Sequence, residues 1–211
     1  MATRRHYNQN CPIALGLDVL GERWTLLILR EVLGGPRRYS DLRAYLPGIA
    51  TNLLADRLRE LEQTGLIERT ELPPPVARTV YSLSEAGWHK VPPVIQAIAT
   101  FGLDLVEPNE SAATPLNGFL AGILLGFDHR TDLRGSYCVD IDGRRFEFGV
   151  DQGNLTAARD RPEVTVTASA ADLINARIAS TAAQRKAARR RITFGGDEHA
   201  VDAMREAFQL C

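Results

Sequence analysis

Asn52, Ala55, Asp56 and Arg59 recur at intervals of three and four within residues 51–64 of the 211-residue chain. Small and hydrogen-bonding groups at that spacing share one face of a helix, and such groups read the donor and acceptor edges of base pairs. Leu54, Leu58 and Leu61 occupy the other face and form its buried stripe. Arg37, Arg38, Arg57, Arg59, Arg69 and Arg78 fall in or beside the same stretch, and guanidinium groups suit phosphate oxygens. Asp41, Asp56, Glu60 and Glu62 are interleaved with them, so these arginines also fit a salt-bridged, solvated surface.

The neighbouring elements must position that face. Tyr39 to Leu46 reads as a short helix capped by Ser40 and burying Leu42 and Leu46, and Pro47-Gly48 breaks it. Thr51 to Thr64 is a second helix, stopped by Gly65. Leu66–Thr70 and Thr79–Leu83 are strands joined through a stiff tip at Pro73-Pro74-Pro75. Helix, turn, helix and ribbon form a winged helix-turn-helix, whose second helix enters a major groove while the ribbon lies over the flanking backbone. Upstream, Pro12 to Leu33 is expected as one long helix. Downstream, Ser84–Gly87 begins a short helical turn and Pro92–Val106 forms a separate amphipathic helix. Its Val94, Ile95, Ile98, Phe101, Leu105 and Val106 exceed what a small domain covers, which points to a two-fold dimer with recognition helices roughly 34–36 Å apart.

A hydrophobic fraction of 45% with 24% charged residues belongs to globular protein and argues against disorder. No apolar run is long enough to span a bilayer, and the start of the chain does not read as a signal sequence. Cys11, Cys138 and Cys211 give neither a disulfide framework nor zinc spacing, so a reducing cytoplasm and no metal are expected. The net charge is −1, with 12 Lys+Arg against 11 Asp+Glu up to Val106, so a nucleic-acid footprint has to be local. The four histidines, His6, His89, His129 and His199, have no nucleophile or ligand spacing around them; no catalytic residue and no cofactor is expected, and His129 reads as surface decoration.

Beyond a polar linker at residues 107–115 the pattern changes. Leu116–Phe127 carries an apolar helical stripe. A period of two follows in Tyr137–Ile141 and Phe146–Val150, with Asp142-Gly143 as a hairpin turn between them. Leu155–Ala158 and Val164–Ala168 read as further strands, and residues 170–179 and 182–190 as helices. Ile192–Phe194 is a last strand before a closing helix with Val201, Met204 and Phe208 inward. This is an α+β domain. Arg185, Lys186, Arg189, Arg190 and Arg191 form a basic run that fits an anionic head group, a DNA phosphate or a solvated helix face.

The first half resembles the HxlR-type regulators, relatives of the MarR winged helices. The resemblance rests on Cys11-Pro12, Gly21 to Glu31, Gly35 to Leu42, Pro47-Gly48-Ile49, Arg57 to Glu62, Gly65-Leu66-Ile67 and Tyr81 to Ser84. It implies a homodimer on double-stranded operator DNA, with Thr51, Asn52, Asp56 and Arg57 in or near the groove and Arg38 and Arg78 at phosphates. Ser40, Ala55 and Arg59 complete the DNA-binding candidates. Ala50 departs from the capping serine common in relatives, and Thr51 is expected to take over that cap. Cys11, beside Arg4, Arg5 and a helix start, is a candidate redox residue or a packed cysteine at the dimer helix.

The second half resembles the sterol-carrier-protein family, through Gly135, Asp151-Gln152-Gly153, Pro162 to Ala168, Asp172-Leu173 and Ile192 to Asp197. That implies a five-stranded sheet covered by helices around an apolar tunnel. Phe119, Ile123, Phe127, Phe148, Ile174 and Phe208 are the candidate walls of a pocket for a hydrophobic small-molecule effector. The expected architecture is a mainly α winged helix-turn-helix domain (8–106) and an α+β sterol-carrier-like domain (116–211). The expected function is cytoplasmic, sequence-specific transcriptional regulation, not enzymatic and with no membrane partner. The alternative is a lipid or acyl-chain carrier whose winged domain serves only dimerisation.

Overall fold

The computed structural model describes residues 6–73, 78–105 and 123–210. The chain divides into two compact units, Met1–Gly87 and Trp88–Cys211.

The first unit contains α1 (Pro12–Leu20), α2 (Thr25–Leu33), α3 (Tyr39–Tyr45), α4 (Thr51–Gln63), β1 (Ile67–Leu72) and β2 (Arg78–Leu83). The expected helix over 12–33 is therefore two. Gly21 donates its N–H to Leu17 O at 2.7 Å, and a Cβ there would lie 2.6 Å from that oxygen. The chain then turns, with Thr25 N–H on Glu22 O at 3.0 Å, before α2 begins. The apolar repeat runs across the break, which is why periodicity alone suggests a single helix. In α3 the cap also differs from expectation. Arg38 is the N-cap residue, and the Asp41 carboxylate accepts its backbone N–H at 3.0 Å. Ser40 sits exposed in the first turn, because an acid at the third position satisfies an orphan amide and suits the helix dipole.

The ribbon pairs antiparallel from Ile67↔Leu83 to Leu72↔Arg78. Arg37 extends it by one bridge: its N–H donates to Tyr81 O at 2.9 Å, and Tyr81 N–H to Arg37 O at 2.7 Å. The Arg37 guanidinium is buried and donates to Gly34 O at 3.1 Å, which removes it from the phosphate-facing arginines. Ile28, Leu42, Leu54, Leu58 and Leu61 are buried in the core of this unit, at roughly 1.5–3 kcal/mol per side chain.

Helix α5 runs unbroken from Glu85 to Gly102, through Pro92 and Pro93, where two separate segments are expected. An interior proline costs about 3 kcal/mol or more in lost hydrogen bonding and steric clash. Trp88, Val91 and Ile95 are buried on one stripe spanning the prolines, and that burial offsets the cost.

In the second unit a 3-10 turn at Leu124–Gly126 precedes a five-stranded sheet. The expected helix Leu116–Phe127 lies mostly outside the described residues. The sheet order is β5-β4-β3-β6-β7, from β3 (Gly135–Ile141), β4 (Arg144–Asp151), β5 (Asn154–Thr156), β6 (Val164–Ala168) and β7 (Thr193–Gly196). Asp142 (φ 52°) and Gly143 (φ 79°) turn the β3–β4 hairpin, and both need the left-handed region. β6 pairs parallel with β3, and α6 (Ala170–Ile178) and α7 (Ala182–Arg189) lead on to β7. α8 (Glu198–Ala207) follows, its first amides capped by Asp197. The α+β expectation holds, with strand and helix positions close to those expected; β5 stops at Thr156. His129 is more than surface decoration: its ring bonds to Gly153 O at 2.9 Å and to the Gln96 side chain, whose amide also donates to Phe127 O at 3.0 Å.

Tyr137 is 1% exposed within this core and donates to Arg134 O at 3.2 Å. Burial, with Glu163 adding to it, pushes its phenol up to about 12. An unfolded tyrosine ionises near pH 10, so the folded form keeps a proton that the unfolded chain loses. The resulting stability is complete below about pH 10 and is lost as pH climbs toward 12. Thermal melts across pH 9–12 are expected to show this decline, and Tyr137→Phe is expected to flatten it while costing about 1 kcal/mol at neutral pH. An unchanged slope in the variant would assign the alkaline loss elsewhere.

Candidate nucleic-acid interface

Leu54, Leu58 and Leu61 of α4 are buried, while Thr51, Asn52, Asp56 and Arg59 are exposed and Ala55 is half-buried. The helix is thus held by one stripe and offers the polar one. Its N-cap is Ala50, with no side chain bonded to the first-turn amides. Thr51 is the first helical residue and does not take over the cap. Its carbonyl instead accepts the Tyr39 hydroxyl at 2.7 Å, tying the start of α4 to α3. Uncapped amides at a helix N-terminus are suited to an anion such as a phosphate.

Arg57 is placed differently from the other α4 polar groups. Its side chain is 14% exposed and lies 3.2 Å from a Glu22 carboxylate oxygen and 2.5 Å from one of Glu60. It is a strut between α4 and the turn that separates α1 from α2. Arg59 pairs with Asp56 at 2.8 Å, but both are more than half exposed, so this pair can open with little cost. Between α4 and the ribbon lies a groove of about 390 Å³, lined by Tyr39, Ala55, Leu58, Arg59, Arg69 and Tyr81 among others. Arg69, one of the six arginines clustered in this stretch of sequence but not among the named DNA-binding candidates, pairs with Glu71 at 3.0 Å and gives this groove a second cation. Arg38 is exposed at the start of α3, Ser40 is exposed beside it, and Arg78 is exposed at the outer end of β2. Tyr39 was also missed; its aromatic character suggests core, and only the fold shows its hydroxyl on α4.

Cys11 is the N-cap residue of α1, half-buried, and the backbone N–H groups of Ala14 and Ile13 hold its thiol below the ordinary value. A partial positive helix start favours the thiolate in this way. Arg4 and Arg5 lie outside the described residues.

The pocket candidates are in the second unit. Phe127 stacks on Phe208 with centroids 5.0 Å apart, and Phe148 meets Phe208 edge-on at 5.7 Å. All three rings and Ile123 are buried, and the rings pack against one another; Ile174 is half-buried on α6. Phe119 lies outside the described residues. Among the described residues no cluster of three His, Cys, Asp or Glu could hold a metal ion.

The model of the HxlR-like helix-turn-helix family matches residues 19–110. An uncharacterised HTH-type transcriptional regulator of Synechocystis, sll1512, is 38% identical over 108 residues, spanning 51% of this chain and 79% of that protein. YvaP of Bacillus subtilis, also an uncharacterised HTH-type transcriptional regulator, is 31% identical over 103 residues, spanning 48% and 94%. The HTH-type transcriptional regulator YodB of the same organism is 32% identical over 105 residues, spanning 49% and 93%. Residues 19–110 of this chain include α2, α3, α4, β1 and β2, the elements from which the exposed α4 face and the ribbon are built. This chain belongs to the HxlR-like helix-turn-helix family.

Proposed function

We propose that the protein is a transcriptional regulator that binds operator DNA as a homodimer and responds to a small molecule held by its second unit. The observation that carries the first part is the exposed polar face of α4 beside a ribbon ending in Arg78. Asn52, Asp56 and Arg59 supply donors and acceptors for base edges in a major groove. The uncapped first turn of α4, Arg38 and Arg78 supply phosphate contacts, which fix register without reading sequence. Arg57 acts indirectly by fixing the helix that carries the readers.

Dimerisation is supported by apolar surface. On α1, Ile13 is 74% exposed; after the prolines of α5, Phe101 is 80% exposed and Leu105 in the following turn 73%. A second copy of the chain covers apolar surface of this kind. Ligand response is supported by the presence of a five-stranded α+β unit of the kind expected for a sterol-carrier-type module. A ligand bound there regulates only by favouring the DNA-competent or the incompetent state.

Fluorescence anisotropy against DNA from upstream of the gene, beside a scrambled duplex, is the test. We expect a preference of about a thousandfold or more for the specific site. Asn52→Ala should lose roughly 1–3 kcal/mol of that preference with an unchanged melting temperature. Arg78→Ala should weaken both duplexes alike and reduce the salt slope by about one. Equal, weak binding to both duplexes would favour the carrier reading.

Arg57→Ala separates the strut from the readers. It is expected to cost about 1–2 kcal/mol of stability, since its carboxylate partners are partly solvated. A variant with native stability and lost operator affinity would return Arg57 to the groove. For the dimer, sedimentation velocity of Phe101→Asp should show a monomer where the parent chain is a dimer. A parent chain that is already monomeric at micromolar concentration would overturn the two-fold arrangement.

A further inference from the structure

The basic run of α7 borders a cleft. Arg185, Lys186, Arg189 and Arg190 line an open cavity of about 810 Å³ together with Arg205 of α8 and Phe194 of β7. Three elements contribute, and the cations on α7 recur at the spacing of one helical face. One carboxylate, Asp202, also lines the cavity, and it pairs with Arg205 at 3.4 Å. Among the described residues that line the cavity there are thus five cations and one acid.

Two ordinary explanations cover only part of this charge. Lys186 and Arg189 fall in the last turn of α7, where cations offset the helix dipole. That account does not extend to Arg185 in an earlier turn or to Arg205 on a different helix. Surface ion pairing is the other explanation, and it applies to Arg191, which lies 2.7 Å from Asp172. Among the described residues no carboxylate stands within ion-pair distance of Arg185, Lys186 or Arg190. Arg185 instead donates to a neutral acceptor, Ala179 O, at 2.6 Å. Burial, with Arg189 adding to it, pushes the Arg177 guanidinium down to about 10.

An apolar surface adjoins the cations. The Arg205 guanidinium lies over the Phe194 ring at 4.4 Å, and Ala182 and Leu210 also border the cavity. Duplex DNA has little use for an apolar wall inside a concavity, whereas an organic body attached to a charged group fits both. The excess of positive charge suits a multiply charged group better than a single carboxylate.

We propose that this cleft binds a phosphate-bearing small molecule, its phosphate held by Arg185, Lys186 and Arg190 and its organic part against Phe194. The proposal rests on the effector reading above for its regulatory consequence, and gives that effector a place and a chemical class. The expected occupant sits outside the packed rings of Phe127, Phe148 and Phe208.

Isothermal titration calorimetry on the full chain tests it with three probes: octyl phosphate, pyrophosphate and octanol. Saturable binding of one phosphate probe per chain is expected, with no binding of octanol. Tighter binding of octyl phosphate assigns an amphiphile, and comparable or tighter binding of pyrophosphate assigns a soluble phosphate; both outcomes support the site. The double variant Lys186→Glu/Arg190→Glu, altered only at exposed positions, should weaken binding about tenfold or more. Arg161→Glu, a single exposed charge reversal elsewhere in the unit, should leave it unchanged, and melting curves of both variants report folding. Failure of both phosphates to saturate below about 1 mM, or equal affinity in parent and double variant, would overturn the proposal. So would a loss of non-specific DNA affinity in the double variant with no phosphate binding, which would assign the cations to nucleic acid. Phosphate binding that leaves operator affinity unchanged would remove the regulatory reading and leave the site standing.

Discussion

The burial of three leucines on α4 is the constraint on which the first unit depends. Leu54, Leu58 and Leu61 cannot leave the core without exposing most of their apolar surface, so the rotation of α4 about its axis is fixed. With that rotation fixed, Thr51, Asn52, Asp56 and Arg59 have no direction to face except outward. Arg57 adds a second restraint along the helix by its pairs to Glu22 and Glu60, and the Tyr39 hydroxyl holds the first turn at Thr51 O. The polar face is therefore positioned by groups that need not touch DNA. In the proposed function, specificity resides in a few exposed side chains and precision in what lies behind them.

The second unit is organised by the parallel pairing of β3 and β6. That pairing requires a crossover, which the chain makes through β4, β5 and residues 157–163, and the helices α6 and α7 then carry the chain from β6 to its antiparallel neighbour β7. Phe127, Tyr137, Phe148 and Phe208 fill the interior with contacting rings. A core filled in this way leaves its chemistry to the periphery, where α7 and α8 concentrate arginines. The unit thus pairs an apolar interior that specifies the fold with a charged border on α7 and α8.

Much of this was legible in the sequence because the local signals were strong. Gly65 after the leucine stripe, Asp142-Gly143 between alternating strands, and Asp197 before the closing helix are each tied to one conformation. The misses share a different cause. The break at Gly21 is hidden because the apolar repeat keeps its phase on both sides. The passage of α5 through Pro92-Pro93 depends on burial of Trp88, Val91 and Ile95, which outweighs a local rule. Asp41 rather than Ser40 satisfies the start of α3, a choice between two adjacent side chains that spacing does not decide. The role of Arg57 depends on Glu22, thirty-five positions away, and no local pattern links the two. The cleft beside α7 was visible as a run of cations, but its Phe194 and Arg205 come from other elements.

The central claim is that a two-fold pair of α4 faces reads sequence. Selection of bound duplexes from a random-sequence library by the intact protein tests it whatever the operator is. The account predicts enrichment of an inverted repeat whose half-sites lie about one helical turn, roughly 10 bp, apart. A bound pool with no enriched sequence, recovered at salt where non-specific binding is weak, would contradict it.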